Sequence, residues 1–369
     1  MRQLTKDVYV ETKFKGGNVG LVITGEGAVL IDTPMLPSEV RLWQDEIAGI
    51  TDREIVYVIN TDYHGERILG NCFFPGVVVA HEVSWKKLKD EAFRQKLLEA
   101  WGEERKLVPP QLTFTKRMTL YLGEKTIELI HLGGHTPASI GVYIPQDRVF
   151  FAGEVVVKDE HPVMEEGKSL EWLNALALIR RMDVKVIVPG HGPLCSKEVT
   201  QKLSSYIRMI RKKVKRQVMA GRSRREMIER IDLQRIIDCF PMPEERRREV
   251  EKRVKASLRR VYDEMKEELK SVSQNRQSHG DPAKMATEAE IMAIKAKYER
   301  EILAKRNVVG LGIGYKEVGG KKTNQLSLVV MVREKVSPSK LSPEDLIPPE
   351  IEGVVTDVKE VGEIVALEA

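Results

Sequence analysis

A short polar stretch after an apolar run carries the side chains best suited to chemistry. Residues 54–59 are almost wholly apolar and predict a buried strand. Asp62, His64 and Glu66 then alternate, and Arg67 follows directly. In an extended segment, residues two apart point to the same side, so these three side chains would converge on one point. Convergent nitrogen and oxygen donors are the ligands of protein-bound metal ions, and the stretch therefore predicts a metal site.

Three later loops carry donors of the same kind. His135 lies in a glycine-rich loop between two predicted strands, Glu154 follows an apolar strand, and His191 follows another in a Pro-Gly-His-Gly-Pro loop. A single histidine in a turn is usually structural. Four donor clusters at successive strand ends are more specific, because strand ends meet at one edge of a sheet.

These clusters, in this order, resemble the metallo-β-lactamase superfamily. Its signature loop is His-x-His-x-Asp-His, after a threonine and before a Gly-Asn pair. Thr61 and residues 70–71 reproduce that frame. The four signature positions hold Asp62, His64, Glu66 and Arg67. The resemblance covers roughly residues 5–270. It implies an α/β fold of the αββα type, and the order of predicted strands and helices also favours two sheets packed face to face with helices outside.

The resemblance also implies which residues hold metal. The first ion would take Asp62, His64 and His135, and the positions matching the ligands of a second ion are Glu66, Arg67, Glu154 and His191. Arg67 has no lone pair to donate. At ~4 Å its charge would repel a second cation by roughly 4 kcal/mol at an effective dielectric of 20. We therefore expect one zinc ion, with two zinc ions, iron or manganese as alternatives.

The hypothesis for the chemistry follows from this donor set. Zinc would lower the pKa of a bound water and deliver hydroxide to the substrate. Glu66 would orient or deprotonate that water, and Arg67 would stabilise developing negative charge. Arg67 could instead pair with Glu66 and Glu154, or both glutamates could reach a shifted metal with His191. The predicted function is hydrolysis of an ester, lactone, thioester or lactam-like bond in a small molecule. The alternatives are a degenerate binding or scaffold protein and a nucleic-acid phosphodiesterase.

The chain of 369 residues predicts several domains. We expect a metallo-β-lactamase-like domain over 1–196, a helical extension over 197–271, a polar linker over 272–285 and a small α/β module over 286–369. The module resembles one that precedes the catalytic domain in some bacterial and phage trypsin-like proteases. No protease sequence follows it here, so the module implies no proteolysis.

Charge and cysteine content set the expected surroundings. Residues 201–270 carry 22 Lys/Arg against 12 Asp/Glu. Because those charges mostly alternate in sign, we expect a solvated surface, with nucleic acid as the less favoured partner. The C-terminal module is the candidate site for a protein partner. No signal peptide or apolar run of ~20 residues is evident, which predicts no membrane contact. Three scattered cysteines indicate reduced thiols and a cytoplasmic protein.

Overall fold

The computed structural model describes residues 1–101, 106–241, 243–278, 286–337, 341–342 and 344–362. The chain divides into two compact units, Met1–Leu269 and Lys270–Ala369. Each is described by itself below. No described helix has both the length and the apolar character needed to cross a membrane.

Two sheets form the centre of the N-terminal unit. The first sheet has seven strands in chain order: β1 (Arg2–Gln3), β2 (Val8–Glu11), β3 (Val19–Thr24), β4 (Gly27–Ile31), β5 (Ile55–Ile59), β6 (Val77–His81) and β7 (Leu112–Phe114). Strands β1 to β4 are antiparallel, and β4 to β7 are parallel. The second sheet contains β8 (Arg117–Leu122), β9 (Lys125–His131), β10 (Ile140–Ile144), β11 (Val149–Phe151) and β12 (Val186–Val188). Its strands are antiparallel except for the parallel β11–β12 pair.

Helices cover the outer faces of both sheets. They are α1 (Pro37–Ala48), α2 (Gly65–Ile68), α3 (Glu82–Lys89), α4 (Glu91–Trp101), α5 (Ser169–Arg181), α6 (Glu198–Met219), α7 (Arg224–Arg230), α8 (Leu233–Ile237) and α9 (Arg247–Ser278). Valine, isoleucine and leucine side chains from both sheets form the central core. Trp43 of α1 packs outside the first sheet, and Trp172 of α5 packs outside the second. The predicted αββα architecture is confirmed.

Several element boundaries differ from the expected ones. Apolar periodicity over 84–101 alone would predict one helix, but α3 and α4 are separate, because Asp90 is extended and its carboxylate accepts from the backbone of Phe93 at 2.9 Å to begin α4. A capping box of Ser223 and Glu226 begins α7. Helix α9 runs to Ser278, so the first part of the predicted linker is helical. Residues 279–285 lie outside the described residues.

Glu264 of α9 attaches the helical extension to the sandwich. Helix α5 has no side-chain cap of its own at Lys168. The Glu264 carboxylate instead accepts from the backbone and hydroxyl of Ser169, at 2.9 and 2.6 Å, and from the backbone of Leu170 at 3.2 Å. Arg211 of α6 pairs with the same carboxylate at 3.3 Å. A buried acid from a distant helix therefore satisfies the first turn of α5.

The C-terminal unit is a small α/β module, as predicted. It contains α10 (Glu288–Leu303), β13 (Val308–Val318), β14 (Lys321–Val332), β15 (Glu350–Ile351) and β16 (Val354–Glu360). The sheet order is β13-β14-β16-β15, and only the β14–β16 pair is parallel. Ile291 and Ile302 of α10 pack against β14. The hairpin turns at Gly319 and Gly320, whose positive φ angles of 59° and 77° suit a tight two-residue turn.

Candidate metal centre

The donor residues lie in loops that follow the strands of the N-terminal unit. Asp62 and His64 come after β5, and His135 lies between β9 and β10. Glu154 sits in a single 3₁₀ turn after β11, and His191 follows β12. Glycine permits the close approach of these loops. A Cβ on Gly134, which has φ +88°, would lie 2.8 Å from the Trp172 backbone.

Asp62, His64 and His135 form a compact cluster. Each offers one ligand atom, and these atoms lie within 4.8 Å of one another. Nδ1 of His64 is 3.2 Å from Nε2 of His135. The Asp62 carboxylate approaches the two rings at 3.5 and 3.8 Å. The structure thus brings together the three residues that the sequence assigned to the first metal.

Hydrogen bonds set the proton positions in this cluster. Nδ1 of His135 donates to the Val163 carbonyl at 2.9 Å, which leaves the lone pair of Nε2 facing the cluster. Burial and the nearby charge of His64 lower the pKa of His135. Burial alone would also lower the pKa of His64, but Asp62 and Glu166 hold that pKa well above its ordinary value. Without a metal, a proton on His64 therefore compensates the Asp62 charge.

One oxygen atom of this cluster tests whether a metal fits. Oδ1 of Asp62 accepts from the His64 backbone at 2.9 Å. Oδ2 is buried and has no hydrogen-bond partner among the described residues. A buried carboxylate oxygen without a partner is costly, and a cation would satisfy it. Two imidazoles and one carboxylate are a ligand set of zinc and ferrous sites, so the residues fit a metal ion.

Arg67 organises a second group beside the cluster. Its side chain is fully buried. Nη2 donates to the Glu154 carboxylate and, at 3.2 Å, to the Gly190 carbonyl. Nδ1 of His191 is 3.3 Å from Nη2 and 2.6 Å from the same Glu154 oxygen. Burial would raise the pKa of Glu154, but His191 and Arg67 hold it far below its usual range. The Glu154 carboxylate is therefore neutralised by a positive charge of the chain itself, the Arg67 guanidinium.

These contacts bear on three predictions. Arg67 was expected to stabilise charge on the substrate or, alternatively, to pair with Glu66 and Glu154. Its guanidinium has no exposed surface and pairs with Glu154. Glu154 and His191 were expected as ligands, but the structure engages them with Arg67 and each other, outside the metal cluster. Glu66 does not converge with Asp62, because the chain turns into α2 at Gly65 and leaves the extended conformation.

Two carboxylates near the site were missed from the sequence. Asp32 follows β4 with φ +56° and accepts from the backbone and hydroxyl of Thr61, at 2.7 and 2.6 Å. Burial raises the pKa of Asp32 to about 7, although Arg67 lies 3.9 Å away and opposes that rise. An acid at a strand end before Thr-Pro was the available signal. Asp32 holds the residue next to Asp62.

Glu166 is the second missed carboxylate. Its Oε1 lies 3.5 Å from Nε2 of His64, and its Oε2 accepts from the Tyr63 hydroxyl at 2.5 Å. The hydrogen bond with His64, opposed by burial, lowers the pKa of Glu166 to about 2. Glu166 therefore holds the outer nitrogen of His64, so that Nδ1 faces the cluster. Nothing in the local sequence marks it as a partner of His64.

A cleft of about 540 Å³ opens above the cluster. His64, His135 and Glu66 line its floor. The helical extension contributes a wall with Arg246, Glu249 and Arg253. Arg253 pairs with Glu249 at 2.8 Å, and Arg246 pairs with Glu160 at 3.4 Å. The cleft is thus polar, and the extension that the sequence treated as a separate segment completes it.

Comparison with known proteins places the N-terminal unit. Residues 12–191 match the model of the metallo-β-lactamase superfamily. A Beta-lactamase-like protein 2 homolog from Caenorhabditis elegans is 25% identical over 195 residues, 52% of this chain and 61% of that protein. The chain thus spans less than two thirds of that relative. Metallo-beta-lactamase type 2 from Elizabethkingia meningoseptica is 21% identical over 204 residues, which are 52% of this chain and 78% of that protein.

A solved structure extends the likeness in fold. A metallo-beta-lactamase family protein from Thermus thermophilus superposes with a TM-score of 0.52 at 14% identity, covering 73% of this chain and 95% of that one. The C-terminal unit matches a different model. Residues 283–361 match the NARROW LEAF 1 N-terminal domain. The expected likeness to a module of trypsin-like proteases stays a prediction.

Proposed function

Since residues 12–191 form a metallo-β-lactamase superfamily domain, we propose that the protein is a hydrolase that holds one metal ion on Asp62, His64 and His135. The observation that carries this proposal is the buried, unpartnered Oδ2 of Asp62 beside two imidazole nitrogens beneath a cleft. Zinc is the metal that the superfamily implies. Once bound, it would supply Lewis acidity that activates water at neutral pH.

The surrounding residues have defined tasks in this proposal. Val163 fixes His135 in the tautomer whose Nε2 can ligate. Glu166 holds the outer nitrogen of His64. Glu66 lines the cleft from α2 and is the candidate to orient or deprotonate the attacking water. Arg67 is a positioning residue, because it holds Glu154 and His191 without reaching the cleft.

A single metal ion is favoured by the charge of Arg67. The guanidinium engages Glu154 and lies beside His191, two of the residues that a second ion would need. A second cation ~4 Å away would be repelled by roughly 4 kcal/mol at an effective dielectric of 20. The chain thus supplies the second positive charge itself.

The cleft suits a small polar substrate. Its volume of about 540 Å³ lies within the range of about 300–1,000 Å³ that is usual for small-molecule sites. Its wall combines charges of both signs, from Arg246, Arg253, Glu160 and Glu249. We propose an ester, lactone, thioester or lactam-like bond as the one cleaved.

Metal stoichiometry and a hydrolysis screen test the proposal together. Elemental analysis after zinc loading should find about one ion per chain in the wild type. Asp62→Asn should lose most of it. His161→Gln is the matched control, because His161 lines the same cleft outside the cluster and bonds the Ile237 carbonyl at 2.8 Å. Absence of zinc in the wild type would overturn the proposal. Zinc without turnover of acyl or phosphodiester substrates would favour a binding protein.

A further inference from the structure

A run of basic residues without an acid covers α6 after its first residue and continues into the start of α7. Residues 199–225 contain ten Lys/Arg and no Asp or Glu. The alternation of charges expected over 201–270 is therefore a property of α9 and not of α6. Four buried apolar residues seat α6 on the core, namely Leu203, Ile207, Ile210 and Val214. The charges must consequently lie on the opposite side of the helix.

The exposed side of α6 forms a continuous basic face. It carries Lys202, Arg208, Lys212, Lys215 and Arg216. At 1.5 Å per residue these five span about 21 Å. None of them pairs with a carboxylate among the described residues, whereas Arg211, on the inner side, pairs with Glu264 and Glu268. Like charges this dense cost stability unless a partner compensates them.

The basic region continues onto α5. Arg180 donates to the Thr200 carbonyl at 3.0 Å and to the Ser204 hydroxyl at 3.0 Å, which places it beside α6. Burial and the neighbouring Arg208 and Arg181 lower the pKa of Arg180. Positive groups from two helices thus lie close enough to perturb one another, so an anion there would relieve repulsion as well as gain attraction.

We propose that the solvent face of α6 is a docking surface for the phosphodiester backbone of a nucleic acid. Charge complementarity carries this, since a duplex presents one phosphate per about 1.7 Å of axis over the length of the face. An anionic membrane is disfavoured. The apolar side of α6 is sealed in the core, and Met219 is the one large apolar residue exposed among the described residues of the helix. The proposal stands independently of the hydrolytic site.

Binding of a labelled DNA duplex to the full chain tests the proposal. Dissociation constants are measured by fluorescence anisotropy across a salt series. With about four phosphate contacts, affinity should fall roughly 100-fold between 50 and 200 mM salt. The triple variant Arg208→Glu, Lys212→Glu, Lys215→Glu should weaken binding at least about tenfold at low salt, and the same three positions changed to Gln should give an intermediate loss.

A control variant with the same net charge distinguishes binding at this face of α6 from an effect of the overall charge of the protein. Arg248→Glu, Lys252→Glu, Arg259→Glu alters three exposed bases on α9, a helix with interspersed acids. It should change affinity less than about threefold. Equal losses in both triple variants, or no wild-type binding at low salt, would overturn the proposal. Binding to phosphatidylserine vesicles without binding to DNA would overturn it in favour of a membrane.

Discussion

The two halves of the site are built from similar groups and reach opposite states. Asp62 with His64 and His135 is a carboxylate among imidazoles, and Glu154 with His191 is another. In the first half one oxygen of the acid has no hydrogen-bond partner among the described residues. In the second half Arg67 and His191 both engage the acid within the fold. Buried acids require a cation, and this protein meets that requirement once from its own chain and once, we propose, from solution.

Removal of the internal cation should produce the largest effect. Arg67→Met leaves Glu154 buried beside His191 without its guanidinium partner. We expect the free energy of unfolding to fall by about 3–5 kcal/mol, as for other broken buried pairs. Urea denaturation measures this. Arg148→Met is the matched control, because Arg148 pairs with Asp183 at the surface and should cost less than about 1 kcal/mol. Similar losses in both variants would contradict the difference between the two halves.

The next largest effect is on zinc affinity, which should fall more for variants of the first half than for variants of the second. His135→Ala removes a ligand and should weaken zinc binding more than about 100-fold, since loss of a supporting hydrogen bond alone costs about 10–100-fold. Glu166→Gln should fall in that supporting range. His191→Ala should change affinity less than about tenfold. Competition with a chromophoric chelator gives these values. A loss with His191→Ala as large as that with His135→Ala would place the metal between the halves.

The number of protons released when zinc binds is a smaller effect, but it can be measured precisely. The pKa of His64 is raised in the metal-free fold, so this ring holds a proton at neutral pH. Ligation requires the neutral ring, and zinc binding should therefore release about one proton, with affinity increasing with pH. Calorimetry in buffers of different ionisation enthalpy measures the number. Proton uptake, or no proton exchange, would show that zinc binding does not remove a proton from His64.

The most gradual expected effect concerns Asp32, because it is spread over several pH units. Its folded pKa of about 7 exceeds the ordinary 3.8, so the folded chain binds a proton that the unfolded chain releases. Its contribution to stability is present at low pH and is lost as pH rises from about 4 to 7. The slope is at most about 1.4 kcal/mol per pH unit. Asp32→Asn should remove that slope in chelator-treated protein. If the difference in unfolding free energy between wild type and Asp32→Asn stays constant with pH, the raised pKa of Asp32 is contradicted.

Sequence patterns were sufficient for the sandwich, and the resemblance to the superfamily pointed to the first half of the site. Apolar runs identify the strands, and loops that follow strands bring Asp62, His64 and His135 together. The sequence left two directions open for the Arg67 side chain, toward the substrate or toward Glu154, because the contacts with Glu154 and the Gly190 carbonyl come from segments far along the chain. The role of Glu166 depends in the same way on tertiary contacts. The break at Asp90 reflects a local cap that outweighs helix periodicity.

The contact of Glu264 with the start of α5 has a practical consequence. Helix α9 caps α5 through Glu264 and contributes Glu249 and Arg253 to the cleft wall. The minimal unit for expression, crystallisation or transplantation of the site is therefore not the stretch matched to the superfamily. A fragment ending near residue 196 would expose the first-turn amides of α5 and leave the cleft open on one side. The unit that carries the complete cleft extends through α9.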